Sequence, residues 1–319
     1  MSSSTSKKFQ IASAFVAIYV IWGTTYLGIA LAIRTLPPFI SGGIRFVVAA
    51  ALMYVWLRMR APRPLTGVPF SQAVLTGVLL SGVGNGFVIW AQQGIPSGIA
   101  ALVIAAMPVF VLLIDWAFFS RRSPKPGGLF GMLVALAGVT VIVLHGHSLS
   151  GQVRPMHVLA LICAVLGWSF GTLIQRGAAR SETVLSFTCS QMFWGGVFQL
   201  SLAALTGEWQ GFAFANVSLL SMGALAYLVI FGSLIGLNCY LWLLTRVSAQ
   251  KVTTYALVNP VIALFLGGLV LQERLNASTV FAALLVLTGV TLVLFERLNP
   301  VHWLWSLRAG RSANECRES

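Results

Sequence analysis

The sequence predicts an all-α integral membrane protein of ten transmembrane helices, arranged as two inverted five-helix repeats around a central cavity. Three observations lead there. Of 319 residues 58% are hydrophobic and only 8% charged, with a mean hydropathy of +0.89; a soluble domain carries roughly 25% charged residues. The apolar residues fall into ten runs of about twenty, the length that crosses roughly 30 Å of hydrocarbon. And the two halves of the chain align with one another.

The runs are 11–31, 39–57, 72–92, 97–119, 127–145, 156–175, 186–205, 218–243, 251–271 and 276–295. Lipid cannot hydrogen-bond an open sheet edge, and the period-2 alternation of a membrane barrel is absent, so they are read as helices. The first run is a span: it is too long for a signal peptide and has no convincing cleavage site. It carries Trp22, Thr24, Thr25 and Tyr26 near its middle. Gly42–Gly43 opens the second, with Arg45 inside it. The third holds Asn85 and Trp90, the fourth Pro108 and Asp115. Gly131 and Gly138 punctuate the fifth. The sixth repeats the first with Trp168, Ser169 and Thr172, and the seventh holds Gln191. The eighth has Asn238, Tyr240 and Trp242. The ninth has Tyr255, Asn259 and Pro260, and ends near Glu273; the tenth has Gly289.

The net charge of +13 does not point to nucleic acid, because the basic residues sit singly or in small groups between apolar runs. With the N-terminus in the cytoplasm, sixteen Lys and Arg fall in inner segments and three (Arg34, Arg154, Arg274) in outer loops. That bias orients a multi-pass protein. Both termini are then cytoplasmic: residues 1–10 at one end and 296–319 at the other, the latter expected to begin as an interfacial helix and to end disordered. The short loops leave no room for a soluble catalytic domain. Cys163, Cys189, Cys239 and Cys316 form neither a disulfide framework nor a metal-ligand pattern.

A shift of 146 to 152 residues lays the first half over the second. Trp22 falls on Trp168, Arg45 on Gln191, Trp90 on Trp242 and Pro108 on Pro260; AGVTVIVL (137–144) lies over TGVTLVLF (288–295) with one residue of slippage. Residues 11–146 and 156–295 are thus read as two five-helix units. Five is odd, so the second enters the membrane from the opposite side. Inverted repeats of this kind belong to alternating-access carriers, with the substrate site near the midplane between the copies.

Three segments, IWGTTYLGIALAIRTLPPFISGGIRF, GVGNGFVIWAQQGIPSGIAALVIAAMPVF and YALVNPVIALFLGGLVLQERL, resemble the EamA branch of the drug/metabolite transporter superfamily. That branch includes bacterial inner-membrane exporters of the YddG and YedA type. The resemblance covers nearly all ten spans. It implies a central cavity and export of small metabolites, such as amino acids, or of drugs. The family often has a Gly-Glu-like pair after the proline-containing helix of each half. Here the second half keeps Glu273, while the first half has Ser120–Arg121.

The substrate-binding candidates are Trp22, Thr25, Tyr26, Asn85, Trp90, Trp168, Asn238, Tyr240, Tyr255 and Asn259. As a set they describe an apolar cavity with aromatic walls and a few polar groups, suited to an amphipathic compound with an apolar or aromatic body. Singly, each also serves as helix-packing glue. Pro108 and Pro260 are hinge candidates, since proline breaks the intrahelical ladder; a static kink is the plainer reading. Arg45, Asp115 and Glu273 are the gate or coupling candidates, because charges near hydrocarbon are costly. Arg45 and Glu273 lie at comparable depth, so an outer latch is one reading and Arg45 bonded to backbone carbonyls at a helix end is the equal alternative; Asp115 has Arg121 and Arg122 nearby. With so few titratable groups in the spans, proton antiport and facilitated export stand level. No metal site and no cofactor are expected.

HExxH, a Cys/His cluster and paired acids are absent, so no enzyme is expected. No selectivity segment of a channel repeats. A broad-specificity drug efflux carrier and a non-transport scaffold remain the alternatives. The expected partners are a small-molecule substrate and the lipid bilayer; the oligomeric state is open.

Overall fold

A computed structural model describes residues 2–60, 62, 65–121, 123–150, 155–175, 184–247, 252–273 and 276–298. Among them there is no strand. The helices in chain order are α1 (Ser2–Ala32), α2 (Pro38–Arg60), α3 (Phe70–Ala91), α4 (Ser97–Ser120) and α5 (Pro126–Ser150). They continue as α6 (Pro155–Gln175), α7 (Val184–Leu205), α8 (Leu219–Leu244), α9 (Tyr255–Val270) and α10 (Ala277–Leu298). Of the expected tail, 296–319, residues 296–298 continue α10 and 299–319 lie outside the described residues. At the other end α1 reaches back to Ser2, through residues expected to precede the first span.

Eight of these helices are long and apolar enough to cross a membrane; α7 and α9 are not among them. The reasons are local. Helix α7 carries Thr188, Ser190, Gln191, Gln199 and Ser201, which dilute its hydropathy. Helix α9 is 16 residues against the expected 21, because turns at Thr253 and Thr254 delay its start.

The molecule shows greasy side chains outward and polar ones inward. Phe265, Leu269, Phe281 and Leu284 are exposed, whereas Thr188, Gln191, Gln199 and Ser233 are fully buried. Water would select the reverse. Lipid explains it: apolar side chains cost nothing against hydrocarbon, while polar ones must find partners between helices. Gln191 donates to Gln175 Oε1 at 3.0 Å, and Gln199 to the Ser81 carbonyl at 2.7 Å.

The most intimate packings join one half of the chain to the other: α5 with α10, α2 with α7, α3 with α6 and α7, and α9 with α1 and α4. In the α5–α10 pair, Gly131 faces Leu292 and Val293, while Gly138 faces Leu285 and Val286, so the two run antiparallel. Helices α2 and α7 do the same: Gly43 meets Leu200, Gly196 meets Val47, and the Cys189 thiol reaches the Ala50 carbonyl at 3.3 Å. Small residues at these crossings let the backbones approach, which is how helices associate without a hydrophobic drive.

Local irregularities recur along the chain. Helix α3 widens into a π-helix over Gly77–Gly84, and α8 does so over Leu228–Ile235, 151 residues later. Arg121 after α4 and Gln272 after α9, again 151 apart, both adopt positive φ (55° and 58°). A non-glycine residue pays for that conformation, so its recurrence marks matching helix endings. The sequence alignment sets Arg121 against Glu273; in the backbone, the partner of Arg121 is Gln272.

Candidate functional site

A cavity of about 60 Å³ lies where the two halves meet. Seven of the ten expected substrate-binding residues line it: Trp22, Thr25, Tyr26, Asn85, Trp168, Tyr255 and Asn259, together with Arg45. They come from α1, α2, α3, α6 and α9, which the interhelical crossings bring to one place. Ile29, Val88, Ile104, Met107, Gly232 and Leu237 complete the lining; one more apolar residue in a chain that is 58% hydrophobic carries no sequence signal.

The aromatic wall centres on Trp22. Its ring meets Trp168 edge-on at 6.1 Å, Tyr255 edge-on at 4.8 Å and Tyr240 at 5.1 Å. Its N–H donates to the Gly232 carbonyl at 3.3 Å, the partner a deep indole needs. Tyr240 therefore supports the wall from behind without lining the cavity. The tryptophans aligned by the sequence repeat thus meet in space.

The polar members are tied down. Thr25 Oγ1 donates to the Trp22 carbonyl at 2.7 Å, and Asn85 Nδ2 to the Leu80 carbonyl at 3.0 Å, across the π-helical stretch of α3. With its amide oriented by its surroundings, Asn259 donates to the Tyr19 and Tyr255 carbonyls, each at 3.2 Å, fastening α9 to α1. The Tyr255 hydroxyl points at Met107 Sδ, 4.0 Å away.

Three expectations land elsewhere. Trp90 stacks on His157 at 4.7 Å, near the end of α3 and outside the cavity lining. Asn238 bonds to the Leu234 carbonyl of its own helix. Asp115 opens a π-helical terminus, Asp115–Ser120, and takes no part in the cavity.

The two prolines occupy different settings. Helix α4 breaks at Ala106, so Pro108 stands in the first turn of the segment Met107–Ile114, where a missing N–H costs nothing. Pro260 lies inside α9, where it removes a ladder bond.

The expected Arg45–Glu273 pair is not formed. Arg45 Nε donates to Ser233 Oγ at 2.9 Å on α8. The Glu273 carboxylate instead accepts the backbone N–H groups of Ser97 (2.7 Å) and Gly98 (3.2 Å), capping α4. A helix start offers unsatisfied donors and a partial positive charge, and so it competes well for a carboxylate. Glu208, which the sequence did not single out, does the same for α2, accepting from Phe39 (3.2 Å) and Ile40 (2.9 Å). Its signal exists only in three dimensions, since cap and helix are some 170 residues apart.

Burial pushes the Glu208 carboxyl above its ordinary value of 4.5, while the Ile40 and Phe39 N–H groups pull the other way. A raised folded value means the protonated form favours folding. That contribution is present below the ordinary value and lost as pH rises through the folded one. The melting temperature is expected to fall across that window, and Glu208→Gln to remove the fall. An unchanged pH profile in the variant would contradict this.

Among the described residues no group of His, Cys, Asp or Glu is placed to hold a metal ion, and Cys163, Cys189 and Cys239 are free thiols.

The EamA-like transporter family matches this sequence twice, over residues 10–144 and 155–295. The chain belongs to that family. It is 33% identical to the uncharacterized inner membrane transporter YedA of Escherichia coli K12, over 88% of this chain and 89% of that one. It is 26% identical to protein PagO of Salmonella typhimurium (92% and 96% covered). A probable amino-acid metabolite efflux pump of Escherichia coli K12 is 25% identical (92% and 96% covered). A solved crystal structure shares the fold at a TM-score of 0.62, covering 91% of this chain and 98% of that one at 18% identity. This EamA-like protein is a membrane transporter rather than an enzyme by family and by relatives, with a bilayer as its solvent and a small molecule as its cargo.

Proposed function

We propose that this EamA-like protein exports small amphipathic metabolites, amino acids with an aromatic or apolar body first among them, by alternating access across the bacterial inner membrane. The carrying observation is the cavity: aromatic walls and a few polar groups, drawn from both halves of the chain. A compound with a flat apolar body and a polar end suits it. A volume of about 60 Å³ holds only a few waters, so the walls must part to admit cargo.

In this reading residues 11–146 and 156–295 are two five-helix units inverted in the membrane. Support comes from the antiparallel pairing of α5 with α10 and of α2 with α7, and from the irregularities that recur 151 residues apart. Helices α7 and α9 complete the ten spans, their shortage of hydropathy or length being made good by burial among neighbours. Both termini are cytoplasmic, by the excess of Lys and Arg on that side. The Glu208 and Glu273 caps then close the outer side, and the hinge lies at the break in α4 and around Pro260.

The test is flux of labelled aromatic amino acids in proteoliposomes, with and without a pH gradient. Protein-dependent flux is expected, and none above protein-free vesicles for any amphipathic probe would refute the proposal. Equal rates in both conditions would assign facilitated export, and gradient-driven rates antiport.

A further inference from the structure

We propose that Arg45 is the receptor for a carboxylate on the cargo, so that the cavity selects compounds with a carboxylate and an apolar or aromatic body over analogues that lack the carboxylate. The proposal rests on the export reading of the same cavity and adds the charge of the cargo.

Arg45 is 3% exposed and lines the cavity. Its guanidinium is held in place: Nε donates to Ser233 Oγ at 2.9 Å, and the central carbon lies 4.8 Å from the Phe46 ring. Gly232 makes the room, since a Cβ there would come within 2.9 Å of Nη2. Nη1, by contrast, is buried and has no hydrogen-bond partner in the protein. A guanidinium stays charged under all ordinary conditions, and an unpartnered charged donor at membrane depth is costly enough to demand a reason.

The protein does not neutralise it. No Asp or Glu lines the cavity, and Glu208 and Glu273 are bound to helix starts. The charge is therefore left for the cargo. One arginine in an aromatic pocket matches one negative charge, and the planar guanidinium fork fits the planar carboxylate. The same positive charge repels cationic drugs, which separates this reading from broad drug efflux.

The carboxylate can belong to a zwitterionic amino acid or to an acid without an amine, and the probes distinguish them. Full-length protein would be tested by ligand-induced thermal shift and by proteoliposome flux. The probes are L-phenylalanine, 3-phenylpropanoate, its neutral amide 3-phenylpropanamide and 3-phenylpropylamine. At least one carboxylate is expected to stabilise the wild type with half-saturation at least ten-fold below that of the amide, and the amine to give no shift. Arg45→Gln is expected to erase the gap, and Arg45→Lys to keep part of it. Phenylpropanoate matching phenylalanine places recognition on the carboxylate alone; preference for phenylalanine assigns an amino acid and retains the role of Arg45.

An amide that binds as well as the carboxylates, or no shift with either carboxylate, overturns the proposal. If Arg45→Gln does not fold, the wild-type comparison of acid with amide still decides. Equal flux of acid and amide sinks the assignment of Arg45 while leaving export standing. A carboxylate-specific shift with no flux of any probe supports Arg45 and sinks export.

Discussion

Trp22→Ala is expected to abolish flux and to lower unfolding stability by about 3–5 kcal/mol, the range for removing a large buried aromatic side chain. Trp22 is only 8% exposed and touches Trp168, Tyr240 and Tyr255. These rings come from both halves of the chain, so removing the central one opens the interface that builds the cavity. The lost indole N–H also deprives the Gly232 carbonyl of its donor. Trp22→Phe separates the two contributions. It keeps a ring but loses the donor, and is expected to cost less than about 2 kcal/mol, near what one unsatisfied buried group costs. Thermal melting in detergent followed by tryptophan fluorescence would check both variants. A Trp22→Ala protein that melts with the wild type would show that this wall is not part of the core.

Gly289→Val is expected to be comparably damaging, although Gly289 is not among the residues that line the cavity. Even a single Cβ at Gly289 would fall on the backbone nitrogen of Ala135 and the carbonyl oxygen of Gly131. Those are backbone atoms, so no rotamer change relieves the clash and α10 must move off α5. Overpacking of cores commonly costs about 1–3 kcal/mol when side chains can yield; here the loss is expected at or above the upper end. The readout is the yield of monodisperse protein after extraction, together with its melting temperature. Wild-type values for the valine variant would mean that α5 and α10 do not cross as closely as described.

Much of the architecture was legible because lipid is a simple solvent. Runs of about twenty apolar residues can do little except form helices there, and the ends of most helices lie within a few residues of those read from hydropathy alone. Helix α9 departs because hydropathy does not register where the backbone turns: Thr253 and Thr254 continue an apolar run yet lie outside the helix. The site was partly legible for the same reason. Polar and aromatic residues deep in apolar runs are few, and most of those chosen meet in one cavity. Trp90 and Asn238 show the limit. A Trp near a helix end and an Asn bonded to its own helix look, in one dimension, like cavity residues, because a string does not say which way a side chain faces.

Composition and hydropathy by themselves determined that this chain lives in a bilayer and that its apolar runs are mostly helical, and its repeated motifs pointed to two similar halves, each of which matches the family. Each follows from solvent physics or from repetition, and none depends on which helix touches which. Only the tertiary structure decided the partners of the charges. Arg45 and Glu273 lie at matching depth in the sequence, yet Arg45 turns to Ser233 and Glu273 to the start of α4. The reason is that a carboxylate near a helix N-terminus meets two aligned N–H donors already unsatisfied, while the guanidinium meets the Ser233 hydroxyl on a neighbouring helix. Residues more than a hundred positions apart in the chain set that outcome, and packing alone brings them together.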